Sequence, residues 1–268
     1  MNLVIGSTSQ LSHYFPEEYL KLSSRNIDFN YLQSQPWDNV YITFSEQKIY
    51  NKNIDYITPN YLYTLQIIKS LINNSKKIVC YTSCELWNNL AGYITETTPP
   101  NFSPLTNEYT ISKLLLLNKI KELQSVDESY KKVIFIHPFY FNSVYRTEYF
   151  LFGKIFNSII NKKKIKVGSL NFYRDMVHTK FMVERSIAAT TDCVVGSGKL
   201  FNVKDFVEDL YQLNDMKYKD YVEEDLSGAT IVGKEKLIMA KAGWNYSYDD
   251  LLSDTQQDIL LFKAKQGI

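Results

Sequence analysis

Hydrophobic positions along the chain follow two alternating rhythms. Short unbroken apolar runs stand at residues 2–6 (NLVIG), 39–44 (NVYITF), 76–83 (KKIVCYTS) and 132–138 (KVIFIHP). Each has strand length and is too continuous for a strand with one wet face, so the pattern predicts strands buried on both sides. Helical spacing intervenes. PNYLYTLQIIKSLIN (residues 59–73) gathers Leu62, Leu65, Ile68 and Ile72 on one side, and EYTISKLLLLNKIKEL (residues 108–123) reads as a second strong helix. PEEYLKLSS (residues 16–24) reads as a further helix, with Pro16 tolerated in its first turn. The β-α-β-α-β order predicts a parallel sheet with helices on both faces, a class that takes its ligands beyond the carboxyl ends of the strands. After about residue 140 the rhythm loosens. YFLFGKIFNSIIN reads as a helix, the run Lys162–Lys164 as its solvated end, and short strands and helices complete the chain.

Composition narrows the class without naming a chemistry. A length of 268 residues suits one sizeable α/β domain or a large domain with an appendage. Thirty Lys and Arg against 29 Asp and Glu leave a formal charge of +1, so no field invites nucleic acid or an anionic membrane. No apolar run reaches the roughly 18 residues of a membrane span. Cys80, Cys84 and Cys193 lack metal-like spacing, and the chain opens without an apolar signal segment. Those features lead to the expectation of reduced thiols, no metal and a cytoplasmic location.

Three stretches carry candidate chemistry. GSTSQLS (residues 6–12) follows the first strand, where a dinucleotide site wants glycines for a tight turn and close backbone approach. Here Gly6 is the one glycine, and Ser9 and Ser12 stand where small residues are needed. In YTISK, Tyr109 and Lys113 lie four apart and therefore share a helix face. An ammonium beside a phenol favours the phenolate and suits the phenol to act as a base. Before them, TSCEL sets Ser83, Cys84 and Glu85 together past a buried strand, where a hydroxyl can bridge substrate and Tyr109 in a proton relay.

Taken in order, Gly6-x-Thr8-x-Gln10, TSCEL, YTISK and HPFYFN resemble the extended short-chain dehydrogenase/reductases that modify nucleotide sugars. IKVGSLNFYRDMVH (residues 165–178) and VGKEKLIMAKAGWNYSYDDLLSDTQQD (residues 232–258) resemble the segments that GDP-mannose 4,6-dehydratases and their relatives carry in the same order. The resemblance implies a Rossmann-like dinucleotide domain over residues 1–160, shortened in its first half. A smaller mixed α/β substrate region over residues 161–268, partly interleaved, completes it. It implies NAD or NADP held by Gly6, Thr8, Ser9, Gln10 and Ser12 together with Tyr109 and Lys113. The catalytic set it implies is Ser83, Glu85, Tyr109 and Lys113. Tyr109 takes the proton of the C4 hydroxyl, Lys113 grips the nicotinamide ribose, and Glu85 removes the proton beside the transient ketone. Cys84, Asn142, Arg146, Lys154, Arg174 and His178 fall on substrate-binding positions, with Arg174 aimed at the diphosphate. The implied partner is a nucleotide sugar, and the implied setting is surface-polysaccharide or deoxysugar biosynthesis. A homodimer through the helices that follow the strands also fits, with the run Leu114–Leu117 equally suited to a core face.

Two departures from the family pattern bear on activity. The glycine-rich turn has become Gly6, Ser9 and Ser12, and the span from it to NVYITF is short, leaving Arg25 and Asp28 as the charged residues where relatives read the adenosine ribose. The C-terminal Arg-Pro segment is replaced by VEEDLSGA. Three functions follow as expectations: a sugar 4,6-dehydratase, a 4-ketosugar reductase or epimerase needing no Glu85 chemistry, and a non-catalytic binder of nucleotide sugars.

Overall fold

The computed structural model describes residues 1–48, 53–101, 107–225, 237–241 and 243–268. Residues 226–229 of the VEEDLSGA stretch, and 232–236 and 242 of the C-terminal match, lie outside the described residues. The first half of the chain runs β1 (Asn2–Ile5), β2 (Leu20–Leu22), α1 (Phe29–Ser34), β3 (Trp37–Ile42), α2 (Thr64–Leu71), β4 (Ser75–Tyr81), β5 (Gly92–Ile94), α3 (Glu108–Val126) and β6 (Val133–Pro138). The second runs β7 (Tyr140–Asn142), α4 (Leu151–Asn161), β8 (Ile165–Val167), β9 (Tyr173–Arg174), β10 (Met176–His178), α5 (Thr179–Ala188) and β11 (Cys193–Val195). It ends with β12 (Phe201–Asn202), α6 (Val203–Leu213), α7 (Tyr218–Tyr221), β13 (Val222–Glu224), β14 (Ile238–Ala240) and α8 (Tyr248–Gln266). These elements form two interleaved units: Met1–Trp87, Glu96–Pro138 and Val183–Val194 in one, and Asn88–Thr95, Phe139–Met182 and Val195–Ile268 in the other.

The first unit is built on a six-stranded sheet in the order β11-β6-β4-β3-β1-β2. Its pairs β1–β2, β1–β3, β3–β4 and β4–β6 are parallel. Successive side chains of a strand point to opposite faces, yet Ile78, Val79, Cys80 and Tyr81 are all buried, as is every residue of β6. Both faces are therefore covered, as the unbroken apolar runs predict. The strand order is that of a doubly wound Rossmann-like sheet lacking the outermost strand of its first half.

That first half differs from the sequence reading at one element. The helix expected around PEEYLKLSS does not form: residues 16–19 make a turn and Leu20–Leu22 joins the sheet as β2. Leu-Lys-Leu alternates with period two, and its ladder with β1 satisfies backbone groups that a helix of this length leaves open. The connection from β1 is reduced to a single 3-10 turn, Leu11–Tyr14.

The helix after β3 also departs from its ideal pattern. Thr58–Tyr63 is wound as a π-helix before regular α2 begins, and each π turn rotates the following face relative to a 3.6-residue repeat. Leu65, Ile68 and Ile72 are buried as expected, but Leu62 is turned out to 52% exposure and Asn60 turned in. Asn60 Oδ1 accepts from Ser45 Oγ (3.0 Å) and Glu46 N (2.8 Å), while Nδ2 donates to Glu46 O (3.0 Å) and Ser112 Oγ (3.1 Å). One side chain thus ties the end of β3 to α3. Ser112 Oγ in turn donates to Tyr109 O at 2.6 Å.

In the second unit the strands pair two by two: β7–β10, β9–β12, β8–β13 and β5–β14. Helix α8 starts on a reciprocal capping box between Ser247 and Asp250. Among the described residues no helix is long and apolar enough to cross a membrane, no metal-ligating group of three or more residues occurs, and the cysteines are free thiols.

Replacing Asn60 by Leu removes the side-chain partner of the amide and carbonyl of half-buried Glu46 and cuts the tie to Ser112. At about 1–3 kcal/mol for each unsatisfied group, the variant is expected to lose at least about 2 kcal/mol in urea unfolding. A loss of only a few tenths would show that the network holds nothing.

Candidate active site

In a parallel sheet all carboxyl ends share one edge, and here β1, β3 and β4 deliver Gly6, Thr43 and Ser83 to it. Chain direction along the sheet reverses between β1 and β3, the switch point where open α/β sheets bind ligands. Gly6 has φ +117°, and a Cβ there would meet Thr43 Oγ1 at 2.7 Å and the Phe44 amide nitrogen at 2.8 Å. Both the backbone conformation and the close approach of β3 demand glycine. The serines that replace the other glycines are absorbed into the turn. Ser9 Oγ donates to Thr43 Oγ1 (2.8 Å), and Ser12 Oγ lies 2.7 Å from the carbonyls of both Ser7 and Ser9. Thr8 is exposed at the apex, and Gln10 is buried immediately before the 3-10 turn.

Tyr109 and Lys113 lie on the first two turns of α3, whose start is fixed by Asn107 accepting from Thr110 N. Both side chains are buried. Lys113 Nζ donates to Tyr81 O at 3.0 Å, at the end of β4, and stands 5.9 Å from the centre of the Tyr109 ring. It makes no ion pair among the described residues, although an ammonium carries three donors. Burial draws its pKa down to about 8, only partly opposed by Cys80. Cys80 is itself pushed up to about 12 by burial. The edge of the Tyr56 ring packs on Tyr109, with centres 6.4 Å apart.

Two residues beyond Tyr81, Ser83 Oγ accepts from Glu85 N at 3.2 Å as the chain enters the 3-10 turn Cys84–Trp87. The turn buries Cys84 and Trp87 and leaves Glu85 half-buried. The structure therefore gathers Ser83 and Glu85 on one short turn, and joins the Lys113 ammonium to the strand that leads into it.

The sequence reading missed a pair directly beneath. Thr82 Oγ1 lies 2.6 Å from His137 Nδ1. The imidazole is buried between Trp87, edge-on at 5.4 Å, and Phe135 at 6.4 Å. Burial pulls its pKa down to about 4, against the opposing pull of Asp192 and Glu96. A histidine closing an apolar strand before Pro138 was the available signal. Asn60 gave less of one, because an Asn after a Pro at a helix start reads as an ordinary cap.

The remaining candidates lie in the second unit. Asn142 ends β7 and is paired in register with His178 on β10. His178 is buried, with Nε2 3.3 Å from Asp258 Oδ2 on α8, and its amide donates to Tyr246 Oη. The Arg146 guanidinium lies 3.6 Å from the centre of the Phe150 ring. Lys154 is half-buried on α4. Arg174 is buried against the rings of Phe172 (4.6 Å) and Tyr140 (5.2 Å), and its Nη1 donates to Tyr173 O at 2.6 Å. Beside it Asp175 accepts from Ser197 N and Oγ, Gly198 N and Ala240 N. Its pKa is nevertheless raised, because burial outweighs those donors.

No protein-family model and no curated protein matches the sequence. Solved structures do match in fold over nearly their full length. MoeE5 in complex with UDP-glucose and NAD superposes with a TM-score of 0.77 at 13% identity, covering 98% of this chain and 99% of that one. RMD from Pseudomonas aeruginosa complexed with NADPH gives 0.74 at 15% identity, over 96% and 98%. DesIV, the dTDP-glucose 4,6-dehydratase from Streptomyces venezuelae, with NAD and TYD bound, gives 0.76 at 14% identity, over 100% and 98%. The Rossmann-like fold that the motifs imply is thus the fold of the chain.

His137 is neutral in the folded protein down to about pH 4, whereas an unfolded histidine protonates near 6.5. Between those values the unfolded chain binds the extra proton, so stability falls as the pH is lowered. At 1.36 kcal/mol per pKa unit, the loss attributable to this group approaches about 3 kcal/mol. His137→Phe should flatten urea midpoints between pH 6.5 and 4. An unchanged slope would assign the acid sensitivity elsewhere.

Proposed function

We propose that the chain is an NAD(P)-dependent enzyme acting on nucleotide sugars, with sugar 4,6-dehydration as the reaction its residues suit best. One observation carries this reading: a buried lysine with no counter-charge among the described residues, one helical turn after a buried tyrosine, both at the carboxyl edge of the sheet. A buried ammonium with one protein acceptor is costly for stability, and a hydroxyl-rich ligand is what relieves it. The residues fit a dinucleotide: Gly6 gives the tight turn at the switch point, Thr8 to Ser12 the rim beside it, and Lys113 the donor for a ribose. All three solved neighbours were bound to such a cofactor. When bound, the nicotinamide supplies a hydride acceptor that can return what it takes.

The chain's own groups supply the proton movements. The Tyr109 phenolate, which the Lys113 ammonium favours, takes the proton from a sugar hydroxyl as that carbon is oxidised and becomes the neutral phenol. Ser83 Oγ hydrogen-bonds the same sugar oxygen. A ketone acidifies the neighbouring C–H; the Glu85 carboxylate, on the turn that begins at Ser83, is the base that removes its proton, and the electron pair so freed expels the hydroxyl of the next carbon, which leaves as water. Burying Lys113 keeps water from competing for these bonds. In the second unit Arg174 and Asn142 suit a diphosphate and a sugar. His178 suits the joining of β10 to α8 better than contact with substrate.

A second reading, a 4-ketosugar reductase or epimerase, is favoured by Cys84. Its thiol is buried at the position where dehydratases of the resembling family usually place an acid or hydroxyl. That packing leaves Glu85 without the usual neighbour to protonate a departing hydroxyl.

Tyr109→Phe should lower turnover by about 10²–10⁴-fold with dinucleotide binding retained; near-normal turnover ends the relay. Glu85→Gln separates the two readings. Loss of 4-keto-6-deoxy product supports dehydration, and retained NAD(P)H-dependent ketone reduction supports the second. Lys113→Met should abolish turnover yet raise the melting temperature at pH 7. The lysine is protonated in both folded and unfolded states below about pH 8, so the folded protein carries the full burial penalty there and sheds it only between about 8 and 10.5. A variant that melts lower at pH 7 would show that the ammonium is not under strain.

A further inference from the structure

Where the sequence leaves NAD and NADP open, the loop after β2 points to a choice. We infer that the protein selects NADP(H) over NAD(H), and that Arg25 is the residue that meets the 2′-phosphate. The inference rests on the reading above, that a dinucleotide lies at the switch point.

Strand β2 pairs with β1 in register from Leu3–Leu20 to Ile5–Leu22, so both strands end together. The amides of Gly6 and Ser7 both donate to Leu22 O, at 2.8 and 3.1 Å. These bonds stitch the glycine turn to the last residue of β2. Whatever follows Leu22 therefore stands beside the turn, about twenty residues after the first glycine, where Rossmann-like folds read the adenosine ribose.

That loop is Ser23, Ser24, Arg25 and Asn26. Selection of NAD uses a carboxylate here, which accepts from the ribose 2′-hydroxyl and repels a 2′-phosphate. None is present. The first acid downstream, Asp28, is occupied as the N-cap of α1, where its Oδ1 accepts from Asn30 N (2.9 Å) and Tyr31 N (3.1 Å). Glu17 and Glu18 precede β2 and so lie toward its amino end, the far edge of the sheet. Arg25 is exposed, and its guanidinium forms no ion pair among the described residues. Its amide donates to Ser23 Oγ at 3.2 Å, which holds the loop in a tight bend. A planar five-donor fork in a loop that also carries two serines is chemically matched to a phosphate dianion and poorly matched to a bare hydroxyl.

Titration of the full chain with NADPH and with NADH, followed by nicotinamide fluorescence, tests the choice without any turnover. NADPH is expected to bind at least about tenfold tighter, a ratio worth 1.4 kcal/mol. Arg25→Ala should weaken NADPH to near the NADH value while leaving NADH unchanged. In competition, 2′,5′-ADP should displace NADPH far better than 5′-AMP in the native chain and no better in the variant. Equal or tighter binding of NADH overturns the inference, as does a ratio that Arg25→Ala leaves intact, which would make Arg25 an ordinary solvated side chain. If neither dinucleotide binds at millimolar concentration, the dinucleotide reading itself fails and takes this inference with it.

Discussion

The bond from Lys113 to the Tyr81 carbonyl is the constraint around which the candidate site is organised. It fastens α3 to the end of β4, two residues before Ser83, and it fixes a charge where solvent does not reach. An ammonium so placed is a liability to a protein with no use for it. Sequence selection for stability alone would put a methionine or leucine on that helix face. The surrounding structure is spent on keeping the arrangement in place. Asn60 braces α3 from the β3 side through Ser112, and the Thr82–His137 pair braces the strand end from β6. Both are polar contacts buried among apolar side chains, where a satisfied pair fixes one geometry and a broken one is expensive.

Much of the architecture was legible because burial on two faces leaves a plain mark. Four runs without polar alternation became strands β1, β3, β4 and β6. The two helices read between them are present as well. Tyr109 and Lys113 were legible because a spacing of four on a helix is also a spatial relation. The rest depended on information that spacing does not hold. Leu20–Leu22 is too short to announce itself as a strand, and it is one only because β1 offers an edge. Leu62 points outward because a π turn shifts the register upstream of α2, and nothing in the apolar pattern signals where such a turn begins. Asn60 and His137 are single polar residues whose partners come from elsewhere in the chain, so their roles appear only in three dimensions.

The serines of the first turn make a related point. Glycine is required at one position, where φ is positive and β3 crowds the missing Cβ. At the other two, a side chain is accommodated because it replaces interactions that the backbone would otherwise have to find. The hydroxyl of Ser12 reaches carbonyls of its own turn, and that of Ser9 reaches Thr43. A glycine-poor turn at this place in the fold is therefore a differently stitched turn, and its departure from the usual fingerprint is no sign of a ruined one.

Trimming the sheet makes β2 its margin on that side, and a margin of parallel strands ordinarily presents unpaired amides and carbonyls to any neighbour. This one is three residues long, and its central side chain, Lys21, folds back onto the Phe15 carbonyl at 3.1 Å. A foreign strand would find too few rungs to climb and a cation at the middle of them. The loss of an outer strand thus leaves the β2 edge of the sheet a poor template for strand addition.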